Sequence, residues 1–128
     1  LALLYEVKLQ LQCAIISVEA ENMPTIAPLL NALDVHFFPE AHCFLEGQHG
    51  ALDVTFKHQC IQPKFKILAQ TTLCPDEIKT YKVRWHQNYL KKWMKDLRLD
   101  QHYSLDEIWQ KREAWIKVLG QLEAASSR

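Results

Sequence analysis

The sequence predicts an α+β fold, with a mostly antiparallel sheet of four to five strands covered by two C-terminal amphipathic helices. Short runs in the first seventy-odd residues alternate apolar and polar residues with period two, which is typical of half-buried strands. Between Cys74 and Glu123 the apolar residues recur with helical spacing, and all four tryptophans fall there. We expect a single domain over residues 1–128, long enough to bury roughly two-thirds of its unfolded surface.

The first strand is predicted over Tyr5–Cys13, where apolar and polar residues alternate. From Ala14 to Val18 both faces are apolar, which favours a central strand that is covered on both sides. A short helix fits Thr25–Leu33, because Pro28 is compatible with its first turn and Thr25 or Asn22 can cap it. Its predicted buried stripe consists of Ile26, Leu29, Leu30 and Leu33.

Four further strand candidates follow this helix. They are Val35–Phe38, Ala41–Leu45, Ala51–Ile61 and the segment around Phe65, Ile67 and Ala69. Pro39 is predicted to end the first of them, and Pro63 indicates that the last lies near a sheet edge. Glycines in the loop Glu46–Gly50 favour a hairpin between the middle two. The predicted element order is therefore β-α-β-β-β-β-α-α.

Two helices complete the chain. The second helix is predicted to begin at Cys74, because a proline and two acidic residues follow it. Its predicted apolar side consists of Ile78, Tyr81, Trp85, Tyr89, Trp93 and Leu97, widened by Val83, Leu90 and Met94. The third helix is predicted to begin at a capping box formed by Ser104 and Glu107. Its predicted buried side consists of Leu105, Ile108, Trp109, Ile116, Leu119 and Leu122.

The formal net charge is zero, which does not favour a globally basic nucleic-acid binder. That value hides an asymmetry, because residues 1–73 carry seven acids and four bases while residues 74–128 carry eight acids and eleven bases. Seven bases and one acid lie within Ile78–Arg98. Arg84, Lys91 and Lys95 share one helical stripe there and are candidates for binding an anion or a protein partner. The alternative is a solvated face, and a failure to bind nucleic acid at low salt would exclude the nucleic-acid hypothesis.

The four cysteines contain no Cys-x-x-Cys pair, so we expect free thiols in a reducing, cytoplasmic compartment. No run approaches 18 apolar residues, and no membrane association is predicted. Cys74 is a candidate nucleophile because a helix N-terminus lowers a thiol pKa, although a plain capping role is the favoured interpretation.

Histidines and cysteines are concentrated between His36 and Cys60. His58 and Cys60 share a strand face and, with Trp85, are candidates for lining a pocket. Imidazole and thiolate groups can bind a metal ion, but no ligand-spacing motif supports such a site in this cluster, so we predict no metal and no cofactor. Trp115 lies beside the apolar stripe of the third helix and is therefore the tryptophan predicted at a surface or interface.

The passage Glu46–Pro75 contains the runs Gln-Pro-Lys-Phe-Lys-Ile and Thr-Thr-Leu-Cys-Pro. It resembles the strand–Pro-Lys–strand passage of ubiquitin-conjugating and related RWD-type folds, over less than a quarter of the chain. The leading helix of those folds and their His-Pro-Asn segment with its downstream cysteine do not occur in this sequence. The resemblance implies a relationship of fold only and carries no information about activity.

The favoured functional hypothesis is a non-enzymatic protein-interaction or adaptor domain that forms a homodimer or binds another protein. It is based on the concentrated aromatic residues, the split of charge and the lack of a catalytic motif in the sequence. One alternative is a small-ligand-binding or small-enzyme domain with a pocket between the sheet and the C-terminal helices. The other is nucleic-acid binding through the basic face of residues 78–98.

Overall fold

The computed structural model describes residues 10–47, 50–53 and 65–126 of the chain. Its strands are β1 (Gln10–Val18), β2 (Phe38–Gly47), β3 (Gly50–Asp53) and β4 (Lys66–Leu73). Its α-helices are α1 (Ala27–Leu33), α2 (Tyr81–Asp96) and α3 (Leu105–Ser126), with short 3-10 helices at Pro24–Ile26, Pro75–Glu77 and Leu99–Gln101. The predicted α+β class is confirmed. No helix in the described ranges combines the length and the apolar character that crossing a bilayer requires.

The described strands form one sheet in the order β3-β2-β1-β4. β1 pairs antiparallel with β4, from Leu11 opposite Leu73 to Ser17 opposite Lys66, with a register shift between Ile15 and Ile16. β2 pairs antiparallel with β3. β1 lies inside the sheet, as its apolar run predicts, and every residue from Gln12 to Val18 is buried. β4 lies at an edge of this described sheet, which agrees with the prediction for that strand.

The prediction that Pro39 ends a separate strand at Val35–Phe38 is wrong. β2 begins at Phe38 and continues through Pro39, so one long strand replaces the two short strands predicted over Val35–Phe38 and Ala41–Leu45. The pairing with β3 begins only at Phe44, so the missing N–H of Pro39 removes no hydrogen bond to β3. The Pro39 carbonyl accepts a hydrogen bond from His86 instead.

The first helix is close to its prediction. Its first turn, Pro24–Ile26, is a 3-10 helix, and the α-helix follows directly with Pro28 near its N-terminus. The predicted stripe of Ile26, Leu29, Leu30 and Leu33 is buried. Neither predicted capping residue caps the helix, because no side-chain cap hydrogen bond forms at the N-terminus of the 3-10 turn or of α1. The Asn22 side chain instead accepts a hydrogen bond from the backbone N–H of Glu19. Asp34 ends the helix in a left-handed conformation with φ 55°.

The second helix begins later than predicted, and its buried face covers only part of the predicted apolar side. Cys74 precedes only the 3-10 turn, where its backbone N–H donates to Glu77 Oε1 at 2.7 Å, and α2 begins at Tyr81. The buried positions of α2 are His86, Leu90, Trp93 and Met94. Tyr81 and Leu97, both predicted on the buried side, are exposed. Trp93, Leu90 and Met94 are buried as predicted, whereas His86 is buried although a hydropathy pattern counts histidine as polar.

The third helix begins at the predicted capping box. The Ser104 backbone N–H donates to Glu107 Oε1 at 3.0 Å, and the Glu107 N–H donates to Ser104 Oγ at 3.1 Å. Its buried positions include Ile108 and Trp115, which are seven residues apart and therefore on one face. Leu122, predicted on the buried side, is exposed.

Contacts between Cα atoms divide the chain into two compact units. The sheet unit contains the described residues of segments 1–17 and Pro39–His86, with the first turns of α2. The helical unit contains Val18–Phe38 and the described residues from Gln87 onward. Both units have buried apolar residues, including Ile15 and Phe44 in the first and Ile26 and Ile108 in the second.

Candidate functional site

An apolar groove of about 310 Å³ lies between α1 and α3 in the helical unit. The lining residues from the α1 side are Thr25, Pro28, Leu29 and Ala32, and those from α3 are Lys111, Ala114, Trp115 and Val118. Small residues line it from both helices, with Ala32 on α1 and Ala114 on α3. A channel of this size and character can hold one or two apolar side chains of a binding partner.

Trp115 lines this groove but does not lie at the surface. Trp115 is predicted at a surface or interface, and the surface part of that prediction is wrong because only 6% of the residue is accessible. A partner-binding role for Trp115 stays a prediction. Its indole Nε1–H donates to Thr25 Oγ1 at 3.0 Å, so the polar edge of the ring is satisfied within the helical unit. The seven-residue spacing from Ile108 was the sequence signal that could have placed it on the buried face.

One exposed stripe of α3 is apolar. Ala114, Val118 and Leu122 follow one another at intervals of four residues and therefore lie on one side of the helix. Val118 is 47% exposed and Leu122 is 51% exposed. Ala114 and Val118 also line the groove, so the stripe and the groove form one continuous apolar surface. We call this surface the α3 face, defined by Ala114, Val118, Leu122 and the adjoining groove.

The sheet unit holds a group of buried polar side chains. His86 of α2 donates from Nε2 to the Pro39 carbonyl at 2.8 Å, and the same nitrogen lies 3.6 Å from Glu40 Oε1. That carbonyl bond fixes the tautomer in which Nε2 carries a proton. Glu40, His42 and His86 are all buried, which is uncommon for such residues unless they are paired. Sequence reasoning singled out neither Glu40 nor His86, because neither belongs to a recognisable spacing motif.

Two cysteines meet in the same unit. Cys13 of β1 and Cys43 of β2 are free, buried thiols on neighbouring strands. The Cys13 thiol donates a hydrogen bond to the Cys43 sulfur, and this bond lowers the pKa of Cys43 to about 7, with help from the positive charge of Lys82 and against the effect of burial. The same hydrogen bond, together with burial, raises the pKa of Cys13. Thirty residues separate the two cysteines, so no sequence motif could have paired them.

The predicted basic stripe is exposed. Arg84 belongs to the sheet unit, and Lys91 and Lys95 to the helical unit, and all three side chains are accessible on α2. No salt bridge to any of them occurs within the described ranges. Binding of an anion or a protein partner by these residues stays a prediction.

The predicted pocket residues are not brought together. His58 and Cys60 lie outside the described residues, and Trp85 is half-buried on α2. Among the residues that the structure does describe, no group of three or more histidine, cysteine, aspartate or glutamate side chains is placed to hold a metal ion. Cys74 is exposed, and a hydrogen bond with the Glu77 carboxylate raises its pKa. That shift is opposite to the one that the nucleophile hypothesis required.

A second cavity of about 560 Å³ lies at the C-terminal ends of α1 and α2 in the helical unit. Asp34 and Arg98 line it, and both have left-handed backbones, with φ of 55° and 60°. The Tyr103 hydroxyl donates to the Ala32 carbonyl at 3.3 Å and so ties the following loop to α1. A left-handed residue is common where a helix ends, and both residues lie at such positions. Their conformation is therefore explained without a ligand.

Comparison of the chain with protein-family models, with curated proteins and with solved structures found no match.

Proposed function

We propose that this chain is a protein-interaction domain that pairs with a second copy of itself through the α3 face. One observation carries the proposal, namely that Val118 and Leu122 are about half exposed on the same stripe that borders an open apolar groove. Apolar side chains that form one continuous exposed surface mark interaction sites more often than isolated ones do.

The stripe is self-complementary in an antiparallel arrangement. If two α3 helices pair about a two-fold axis through Val118, each Val118 meets the Val118 of the second copy. Ala114 and Leu122 lie four residues on either side, so each small Ala114 faces a large Leu122. Such an interface is isologous, because the same residues serve both copies and the assembly closes at two.

The groove completes the arrangement. Ala114 lines the groove, and the Leu122 that faces it across the two-fold axis would therefore enter that channel. Burial of a leucine side chain contributes roughly 1.5–3 kcal/mol, and the two-fold axis produces this contact twice. Charged or polar residues flank the stripe at Glu113, Lys117 and Gln121, all exposed, which is the polar rim typical of such interfaces.

Sedimentation equilibrium over a concentration series tests the proposal. The unchanged chain is expected to approach twice the monomer mass as its concentration rises. The double variant Ala114→Glu, Leu122→Glu should stay monomeric, because four carboxylates would then meet at the interface. The matched control is Leu97→Glu, since Leu97 is 45% exposed and directly follows the last residue of α2, outside the α3 face. This control should dimerise as the unchanged chain does.

A charge-complement experiment tests the antiparallel register. A second double variant, Ala114→Lys, Leu122→Lys, should also be monomeric alone. Mixed with the glutamate variant it should form a heterodimer, because every glutamate then faces a lysine. A strictly monomeric unchanged chain at high concentration would refute self-association, and a dimer that survives the double glutamate substitution would refute this interface.

A further inference from the structure

We propose that Cys13 and Cys43 form a redox-reactive thiol pair, which a small hydroperoxide converts to an intramolecular disulfide. Cys43 is the attacking thiol and Cys13 the resolving thiol. The pair lies in the sheet unit and is independent of the α3 face.

The geometry brings the two sulfur atoms together before any oxidation. β1 and β2 are neighbours in the sheet, and the Cys13 thiol reaches the Cys43 sulfur closely enough to donate a hydrogen bond. Two thiols within hydrogen-bonding reach of each other can close a disulfide mainly by rotation of their side chains.

Two independent properties assign the same role to Cys43. It is 4% accessible while Cys13 is fully buried, so a reagent reaches Cys43 first. The hydrogen bond from Cys13 and the charge of Lys82 also lower the pKa of Cys43 to about 7. A thiolate is the nucleophile in such reactions. Cys13 stays protonated beside it, because the bond it donates, its burial and the thiolate charge of Cys43 raise its pKa.

A purely structural pair would behave differently. Buried cysteines that only fill space are inert, because an apolar environment raises the pKa of each thiol. Here charged groups act on the pair, since Lys82 acts electrostatically on both thiols and Glu40 acts on Cys13. Lys82 and His86 lie four residues apart, which places both on one side of α2.

The reaction balances with a hydroperoxide as the only oxidant. The Cys43 thiolate attacks the terminal peroxide oxygen, the O–O bond breaks, and the alkoxide leaves as an alcohol after taking a proton. Cys43 is then a sulfenic acid. The Cys13 sulfur attacks the Cys43 sulfur, the S–S bond forms, and the hydroxyl group departs with the Cys13 proton as water. Overall, two thiols and one hydroperoxide give one disulfide, one alcohol and one water, or two waters with hydrogen peroxide.

Peptide mapping of the folded chain after exposure to hydrogen peroxide tests the proposal. After the remaining thiols are blocked, the expected product is a Cys13–Cys43 linked peptide that disappears on reduction. The Cys43→Ser variant should form no such linkage and leave Cys13 reduced. Cys13→Ser should stop at the Cys43 sulfenic acid, which a dimedone-type reagent traps. The matched control is Cys74→Ser, which removes an exposed thiol and should leave the linkage unchanged.

Rate measurements sharpen the assignment. The disulfide should form about tenfold faster at pH 8 than at pH 6, because the thiolate fraction of a group with a pKa near 7 changes by that factor. Hydrogen peroxide should react faster than glutathione disulfide, since only 4% of Cys43 is accessible.

Circular dichroism checks that each serine variant folds. Mapping of the unchanged chain tests the linkage even if a variant does not fold. Three results would each overturn the proposal. They are linkage of either cysteine to another thiol, oxidation that occurs only in denaturant, and faster reaction with glutathione disulfide than with hydrogen peroxide.

Discussion

The indole Nε1–H of Trp115 donates a hydrogen bond to Thr25 Oγ1 across 3.0 Å. Trp93 has the same degree of burial, yet its Nε1 has no hydrogen-bond partner among the described residues. Its ring packs edge-on against Phe38, with centroids 5.4 Å apart, and against Phe37 at 6.2 Å. The helical unit therefore contains two buried tryptophans that differ mainly in whether the indole N–H is satisfied.

This difference predicts unequal effects of the same substitution. Trp115→Phe removes a hydrogen bond that contributes about 0.5–1.5 kcal/mol, whereas Trp93→Phe removes an unpaired donor whose burial costs about 1–3 kcal/mol. Both variants lose a similar amount of buried ring. The two effects add, so we expect Trp115→Phe to lower the free energy of unfolding by about 1.5–4.5 kcal/mol more than Trp93→Phe, as measured by urea denaturation.

The Thr25→Val substitution provides the control for this comparison. It should destabilise the unchanged chain but add little to Trp115→Phe, because the two changes remove the same hydrogen bond. Equal losses for the two tryptophan variants would contradict the proposed role of the N–H groups.

Arg98 ends the α2 region with φ 60° and ψ 23°. A left-handed conformation costs a non-glycine residue about 1–2 kcal/mol, while glycine adopts it freely. Arg98→Gly should therefore raise the free energy of unfolding by about 0.5 kcal/mol, after the greater flexibility of glycine in the unfolded chain is included. Thermal denaturation of the variant measures the change.

Lys91→Gly is the matched substitution, because Lys91 is exposed in the interior of the same helix. It should lower stability by about 1 kcal/mol, opposite in sign to the effect at Arg98. A loss of stability in Arg98→Gly as large as that in Lys91→Gly would show that the Arg98 side chain makes contacts that outweigh the backbone strain.

The Cys43 pKa also predicts how stability depends on pH. The hydrogen bond from Cys13, and then Lys82, lower this pKa from 9.0 to about 7 in the folded chain. A depressed pKa stabilises the folded state above the unfolded pKa, and that stabilisation is lost as pH falls toward the folded value. The Cys43 contribution should therefore increase from pH 7 to pH 9.

Cys13 acts in the opposite direction at higher pH. Its raised pKa favours the folded state below pH 9 and opposes it above, because the unfolded chain then loses a proton that the folded chain retains. Urea denaturation of the unchanged chain and of Cys43→Ser at pH 6.5 and pH 8.5 isolates the Cys43 effect. The stability difference between them should grow with pH, and a constant difference would show that Cys43 does not titrate in this range.

The sequence predicted those elements whose signals are local. The capping box of Ser104 and Glu107 lies within four residues, and its two hydrogen bonds form as expected. The stripe from Ile26 to Leu33 and the apolar run of β1 are buried as well, and the spacing of their own apolar residues is enough to predict this. The basic residues of α2 lie on its accessible side, since a charge run is costly to bury.

The features that the sequence did not predict depend instead on residues that are distant in the chain. Pro39 was assigned to a strand end because proline removes a hydrogen-bond donor, yet the effect depends on whether a neighbouring strand needs that donor. A hydropathy pattern counts a histidine such as His86 as polar, while its hydrogen-bond partner in the fold is a carbonyl forty-seven residues away. Trp115 was expected at a surface, and its burial depends on Thr25, ninety residues away.

The sequence by itself determined the α+β class, the inner position of β1 and the exposed basic side of α2, because periodicity and charge act over a few residues. Only the tertiary structure decided which cysteines meet, which tryptophan is satisfied and which side of α3 remains uncovered. Each of those depends on residues distant in the chain that become neighbours only after folding. The hydrogen bonds Cys13–Cys43 and Trp115–Thr25 are therefore properties of the packed units and not of any sequence motif.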